Sequence, residues 1–206
     1  SEREADEIDD DSNPVIIAGF GRFGQVVSRL LKASGFESTL LDHDAGQIEL
    51  SGRFGNKVFY GDAGNVELLK SAGAEKAKLL VIAIDEREKV IDMIHSVRMN
   101  FPKLKILVRA YDRTHAYELI HAGVDFIVRE TFGSAMAMGE EALKLLGTGE
   151  ARAKRMAERF NKHDNEGMHK LSEVWGDDHE YGLRIRQNLE DLEYVLRDDM
   201  DSAENQ

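Results

Sequence analysis

Val15-Ile16-Ile17-Ala18-Gly19-Phe20-Gly21-Arg22-Phe23-Gly24 runs four apolar residues into three glycines spaced as GxGxxG. A short apolar run bounded by glycine reads as a strand buried on both faces. Val26, Val27, Leu30 and Leu31 follow at helical spacing, so the glycines lie at a strand-to-helix turn. In that context each glycine has its own job. Gly19 permits the tight turn, Gly21 lets the backbone approach phosphate, and Gly24 lets the helix pack closely on the strand. The N–H groups of the turn and the helix dipole attract phosphate, which makes Gly19, Gly21, Arg22, Phe23 and Gly24 a candidate phosphate loop. Asp42, closing the run Ser38-Thr39-Leu40-Leu41, lies at a suitable distance to accept hydrogen bonds from a ribose. Its charge repels a 2′-phosphate, so NAD(H) or AMP is expected rather than NADP.

Outward from that turn, strand and helix alternate six times. Lys57 to Tyr60 reads as the third strand, Leu79 to Ile84 as the fourth, Lys105 to Val108 as the fifth and Asp125 to Val128 as the sixth. Helices are expected around Ile48 and Leu50, around Val66, Leu68 and Leu69, from Glu88 to Met99, and from Arg113 to Ala122, capped by Gly123. The fold class is α/β: a Rossmann-type, doubly wound, parallel six-stranded sheet with right-handed connections, followed by a helical C-terminal extension. Residues 14–130 form the nucleotide-binding domain and residues 131–206 the extension. The extension reads as a helix from Thr131 to Leu146, a charged helix from Glu150 to Lys162, an amphipathic helix through Leu183, Ile185, Leu189, Leu192 and Val195, and a frayed tail from Met200. Alone it would bury little, so it is expected to pack on the sheet domain or on a second copy. Residues 1–13 are strongly acidic and read as a solvated linker, with a cloning remnant as the alternative. The chain begins at Ser, as a fragment or a processed or tagged product would.

Composition narrows the function. The 206 residues carry a net charge of -12 and no cysteine. That charge argues against general nucleic-acid binding. The missing cysteines exclude disulfides, thiolate catalysis and cysteine-rich zinc sites. No apolar run reaches the roughly 18 residues of a membrane span. His115 and His121 are six apart, as are His163 and His169, the wrong spacing for one helical face of a metal site. No nucleophile elbow or metalloprotease helix is present, and little chain remains for a second domain bearing a general acid or base. No catalytic or metal-binding residue is assigned, and a binding or regulatory domain is expected rather than an enzyme. An NAD-dependent oxidoreductase subunit is the competing reading. Asp62 and Asp85 end the third and fourth strands, where parallel sheets line the ligand crevice. Each is a candidate for cofactor contact or for capping the helix that follows.

Four stretches together resemble a known family: Val15-Ile16-Ile17-Ala18-Gly19-Phe20-Gly21-Arg22-Phe23-Gly24-Gln25, Leu41-Asp42-His43-Asp44, Val58-Phe59-Tyr60-Gly61-Asp62-Ala63 and Arg129-Glu130-Thr131-Phe132. They are similar to the KTN (RCK) domain of Kef systems, the bacterial glutathione-gated potassium efflux proteins, over about Pro14 to Asn161. The resemblance implies the regulatory part of a potassium/proton antiporter at the cytoplasmic face of the inner membrane. Its partners would be the membrane antiporter domain of the same polypeptide, a second copy in a homodimer, and an ancillary flavodoxin-like oxidoreductase subunit. Glutathione would hold transport closed and glutathione S-conjugates would open it. By motif the resemblance assigns glutathione to Arg29, Arg129 and Asn161, and assigns Phe54 as the ring displaced by the S-substituent. Two arginines suit the two carboxylates of glutathione. Free peptide and adduct differ only near sulfur, so discrimination must lie there. An RCK domain of a potassium channel or uptake system answering to nucleotide alone is the related alternative.

Overall fold

The computed structural model describes residues 3–204, so Ser1, Glu2, Asn205 and Gln206 lie outside the described residues. Six strands form one sheet: β1 (Val15–Ala18), β2 (Ser38–Asp42), β3 (Val58–Tyr60), β4 (Leu79–Ile82), β5 (Lys105–Ala110) and β6 (Phe126–Arg129). Their spatial order is β3-β2-β1-β4-β5-β6. The ladders β3·β2, β2·β1, β1·β4 and β4·β5 are all parallel, with Ile17 opposite Leu40 on one side and Val81 on the other. The order reverses at β1, and the C-terminal end of β1 therefore opens the crevice of a doubly wound sheet.

Helices α1 (Arg22–Ala33), α2 (Ala45–Arg53), α3 (Val66–Ser71), α4 (Arg87–Asn100) and α5 (Arg113–His121) alternate with the strands. On one sheet face Val15, Ile17, Phe20, Leu40, Val58 and Val81 form a buried cluster, covered by Val27 and Leu31 of α1 and Ile48 of α2. The alternate residues Ile16, Leu41, Leu80 and Ile106 are buried as well, since successive strand residues point to opposite faces. Both faces being dry explains the unbroken apolar strands.

Boundaries shift where tertiary contacts decide them. β4 stops at Ile82 rather than Ile84, because its ladder with β1 ends opposite Ala18. β5 runs on to Ala110, two residues past the expected end, and buries Arg109 and Ala110.

The acidic N-terminal stretch is fastened rather than free. Asp6 donates its N–H to the Tyr60 carbonyl and accepts from Tyr60 N–H through its carboxylate, both at 2.8 Å. Lys57 binds Asp9, and Thr39 Oγ1 donates to the Asp10 carbonyl at 2.8 Å. Asp11 lies so close to Gly73 that a Cβ there would stand 2.1 Å from its carbonyl oxygen. An acidic composition predicts solvation; here backbone groups of the exposed edge strand β3 offer partners that water would otherwise supply.

The chain divides into two compact units, Ser1–Tyr111 with Ala122–Val128, and Asp112–His121 with Arg129–Gln206. The second holds α5 together with α6 (Phe132–Leu145), α7 (Glu150–Glu173) and α8 (Asp178–Glu204). α7 does not end at Lys162. Gly167, Met168, Leu171 and Ser172 are buried at helical period, so the polar 163–173 stretch is a helix whose narrow buried stripe is made partly of small residues. Gly167 lies against α8, where a Cβ would meet Asn188 Nδ2 at 2.3 Å. Trp175, just past α7, packs on Tyr117 and Tyr181 at 5.4 and 5.5 Å between ring centroids. The tail expected to fray from Met200 continues α8 to Glu204. α6 contributes no buried residue. Among the described residues no helix is long and apolar enough to cross a membrane.

Candidate functional site

The phosphate loop is built by close approach. Gly19 has φ +97°, and a Cβ on it would stand 2.2 Å from the Ala83 carbonyl oxygen. A Cβ on Gly24 would stand 2.1 Å from the Gly19 carbonyl oxygen, whereas one on Gly21 would have nothing within 4 Å. Two of the glycines are thus demanded by packing, and the third faces open space where a phosphate would approach. Gly21 is also the N-cap of α1. The first-turn N–H groups of a helix have no intrahelical acceptor and present a positive end to an anion. Arg22 is exposed, and Phe23 is half-buried.

Asp42 does more than wait for a ribose. Phe20 N–H donates to its Oδ2 and Asp44 N–H to its Oδ1, each at 2.8 Å. The carboxylate therefore ties the phosphate loop to the start of α2, and its remaining lone pairs are free to accept ribose hydroxyls. Gln47 Nε2 donates to the Phe20 carbonyl at 2.8 Å and Gln25 Nε2 at 3.3 Å. Phe20 is clamped at both its N–H and its C=O, with its ring 1% exposed. His43 Nε2 stands 3.2 Å from Glu86 Oε1, joining the β2–α2 turn to the loop before α4.

Asp62 does not cap α3. Asn65 does, accepting from Glu67 N–H at 2.9 Å and from Leu68 N–H at 3.3 Å. Asp62 instead closes a turn through Gly64 N–H at 2.8 Å and pairs with Lys89 at 3.3 Å. Asp85 does not cap α4, whose N-cap is Glu86; it pairs with Arg109 of β5. Arg109 is 6% exposed, and its guanidinium lies 5.7 Å from the Phe23 ring centroid. Sequence reasoning passed over this arginine because the expected strand stopped one residue short of it.

The residues matched to glutathione fall in both units. Arg29 is exposed on α1, with no ion pair among the described residues. Phe54, the C-cap of α2, is 77% exposed, so it is not a core residue. In the second unit Arg129 binds Asp164 of α7 and lies 3.8 Å from the centroid of the Phe132 ring. Phe132 stacks with Phe160 at 6.5 Å. Phe160 and Asp164 are one helical turn apart, which is why both reach the same neighbourhood. Asn161 is exposed on the same stretch of α7 and accepts a hydrogen bond from Asn165 at 2.8 Å.

Arg113 shares Asp164, with Nη1 at 3.2 Å from Oδ1, and donates from Nε to Tyr117 Oη at 2.8 Å. Burial works against the Arg113 charge, but Tyr117 and Asp164 outweigh it and hold its pKa above the usual arginine value. Tyr117 Oη lies 3.0 Å from Tyr181 Oη. Burial, then the hydrogen bond and charge of Tyr117, push the Tyr181 phenol up to about 12. Asp164 carries no motif of its own; its i+4 relation to Phe160 was the signal that could have found it.

A family model for the TrkA-N domain matches residues 15–130, more than half of the chain. The chain belongs to the TrkA-N family. Beyond that TrkA-N part, residues 134–206 match the model of the potassium efflux system KefB C-terminal domain. The chain is 48% identical over 166 residues to a glutathione-regulated potassium-efflux system protein KefC of Salmonella arizonae, covering 81% of this chain. It spans about a quarter of that relative's length, 27%. Among solved structures it is similar to the Kef C-terminal domain of Shewanella denitrificans in an AMP-bound form, with 49% identity, 79% of this chain and 99% of that chain covered, and a TM-score of 0.72. The TrkA-N domain of the inner membrane protein ybaL from Escherichia coli is 24% identical, with a TM-score of 0.56 over 65% of this chain and 96% of that one; it shows the fold alone. The resemblance drawn from the four sequence stretches is thereby borne out, and so is the six-stranded fold.

Proposed function

We infer that this chain is the ligand-sensing regulatory region of a bacterial potassium/proton antiporter. An adenine nucleotide, AMP or NAD(H), sits in the crevice above Gly21 and Asp42, and the residues matched by motif to sensing glutathione-type peptides are Arg29 and Phe54 in the first unit and Arg129 and Asn161 in the second. The observation that carries the reading is Arg129, flanked by Phe132, Asp164 and the Asn161 turn of α7. An arginine stacked on an aromatic ring is pre-organised for a carboxylate. A peptide carboxylate arriving there exchanges with Asp164 or shares the guanidinium with it, and Asn161 is placed for an amide. The name of the Salmonella relative supports glutathione as the regulatory peptide, and the AMP complex of the Shewanella domain supports adenylate.

Free glutathione favours the closed state and its S-conjugates the open one, because only the substituent on sulfur differs. Phe54, exposed at the end of α2, is the ring that such a substituent displaces. A homodimer is supported by α6, which buries none of its residues and leaves Met138 75% and Leu145 83% exposed; an apolar helix like this gains most by meeting its own copy. The remaining three quarters of the relatives' length would supply the membrane antiporter domain, placing this region at the cytoplasmic face of the inner membrane. An ancillary flavodoxin-like oxidoreductase is a further partner.

Calorimetric titration of Arg129→Ala with glutathione and with AMP tests the reading. Glutathione affinity is expected to fall at least tenfold, the loss of one charge-assisted hydrogen bond, while AMP affinity holds. Equal loss of both, or no loss of either, refutes the assigned peptide site. AMP binding by the unaltered chain without any glutathione binding would favour an RCK domain answering to nucleotide alone.

A further inference from the structure

Just past the end of β4, Asp85 pairs with Arg109, the penultimate residue of β5. Arg109 is buried at 6% exposure, yet the Asp85 side chain to which it is bonded is 83% exposed. Arg109 Nε is buried too, and among the described residues it has no acceptor. A guanidinium cannot shed its charge, and a buried donor left without a partner is costly. The arginine is held in place while part of its hydrogen-bonding capacity goes unused.

Its surroundings indicate which acceptor it fits. The guanidinium lies 5.7 Å from the ring of Phe23 in the first turn of α1, a helix of 12 residues. Gly19 presses on Ala83, two residues before Asp85, so the phosphate loop and the Asp85 turn meet. A Cβ on Gly21 would have nothing within 4 Å. Free N–H groups of a helix start, an open glycine and a buried arginine with a spare donor suit one group above others, a phosphate with several oxygens to share.

We propose that Arg109 reads the terminal phosphate of the bound adenine nucleotide, and that Asp85 is an internal competitor exchanged for that phosphate. This rests on the nucleotide reading above. A terminal monoester carries close to two negative charges near neutral pH, against one for each phosphate of a dinucleotide linkage, and so competes better with a carboxylate. A dinucleotide must also lay its second half over the ends of β4 and β5, where the Asp85–Arg109 pair stands. The site therefore selects an adenine mononucleotide over NAD.

Calorimetry with AMP, adenosine and NAD on the full chain tests this. The unaltered chain is expected to bind AMP about tenfold to a hundredfold more tightly than adenosine, the value of hydrogen bonds to a charged group, and NAD more weakly than AMP. In Arg109→Met the AMP-to-adenosine ratio collapses toward one; in Asp85→Asn it rises severalfold. A folded Arg109→Met that keeps the ratio overturns the proposal. If that variant does not fold, Asp85→Asn decides, because its side chain is exposed; an unchanged ratio there is equally fatal. An unaltered chain that binds AMP no better than adenosine overturns the role of Arg109 and leaves the nucleotide site standing. One that binds neither removes both readings.

Discussion

Gly24→Ala and Gly21→Ala separate the packing role of the phosphate loop from its ligand role. At Gly24 the new methyl would stand 2.1 Å from the Gly19 carbonyl oxygen, and real contacts essentially never fall below 3.0 Å. The gap must open by about 1 Å, a distance that dense interiors resist. The loop cannot retreat: Gly19 N–H is bonded to Leu41 at 2.9 Å, and Phe20 is held by Asp42 and Gln47. Helix α1 must move instead, away from the cluster that Val27 and Leu31 cover. Overpacking of this kind costs about 1–3 kcal/mol, and for a chain of this size about 2 kcal/mol lowers the melting temperature by roughly 4–8 °C. At Gly21 the φ is -80° and nothing lies within 4 Å. Alanine fits there and loses only a modest N-cap preference, under about 1 kcal/mol. Its methyl does stand where phosphate would approach. Melting curves with and without AMP check the pair. Gly24→Ala is expected to melt early without ligand. Gly21→Ala is expected to melt almost normally but to lose the ligand-dependent gain, which for a simple site is about 2.7 kcal/mol at a hundred times Kd. Equal destabilisation by both substitutions, or a full AMP shift in Gly21→Ala, would refute the division of labour.

Three further outcomes are expected. The Tyr181 phenol is raised from 10.0 to about 12, so the folded chain binds that proton more tightly; the stability it confers is complete below pH 10 and drains away between 10 and 12, which alkaline melting should show for the native chain and not for Tyr181→Phe. Asp164→Asn strips Arg113 and Arg129 of a shared, largely buried carboxylate and should cost roughly 2 kcal/mol by urea unfolding, below the 3–5 of fully buried pairs; no change would mean the arginines re-pair freely. Phe54→Leu, at a side chain 77% exposed, should leave the melting temperature in place but narrow the affinity gap between glutathione and bulky S-conjugates, so an undiminished gap removes Phe54 from the sensing role.

Where the sequence was readable, local chemistry and tertiary demand agreed. The apolar strands and the GxGxxG turn state the sheet and the crevice directly, because both faces of the sheet are covered and Gly19 and Gly24 admit no side chain. Legibility failed where a residue's partner lies far along the chain. Asp85 reads equally as a cofactor contact or a helix cap, and its partner Arg109 lies 24 residues on. Asp62 lost the capping role to Asn65, three residues later, whose side chain reaches the first turn of α3. The expected charged helix stopped at Lys162 because the buried stripe beyond it includes Gly167 and Ser172, small residues that carry little hydrophobic signal but allow close helix contact. Arg129 is assigned by motif, whereas its counter-ion Asp164 is set apart on a charged helix only by its i+4 relation to Phe160.

The fastening of the N-terminal stretch alters the route by which a pull on that end would enter the sheet. Tension applied at Arg3 meets the paired bonds between Asp6 and Tyr60 well before it reaches Val15. Gly61, the next residue, donates to the Asp42 carbonyl at 2.9 Å, and Asp42 grips Phe20. Mechanical load thus passes through Asp42 and the Phe20 loop on its way inward, so that tugging on the leash reaches the glycine turn through one short chain of bonds.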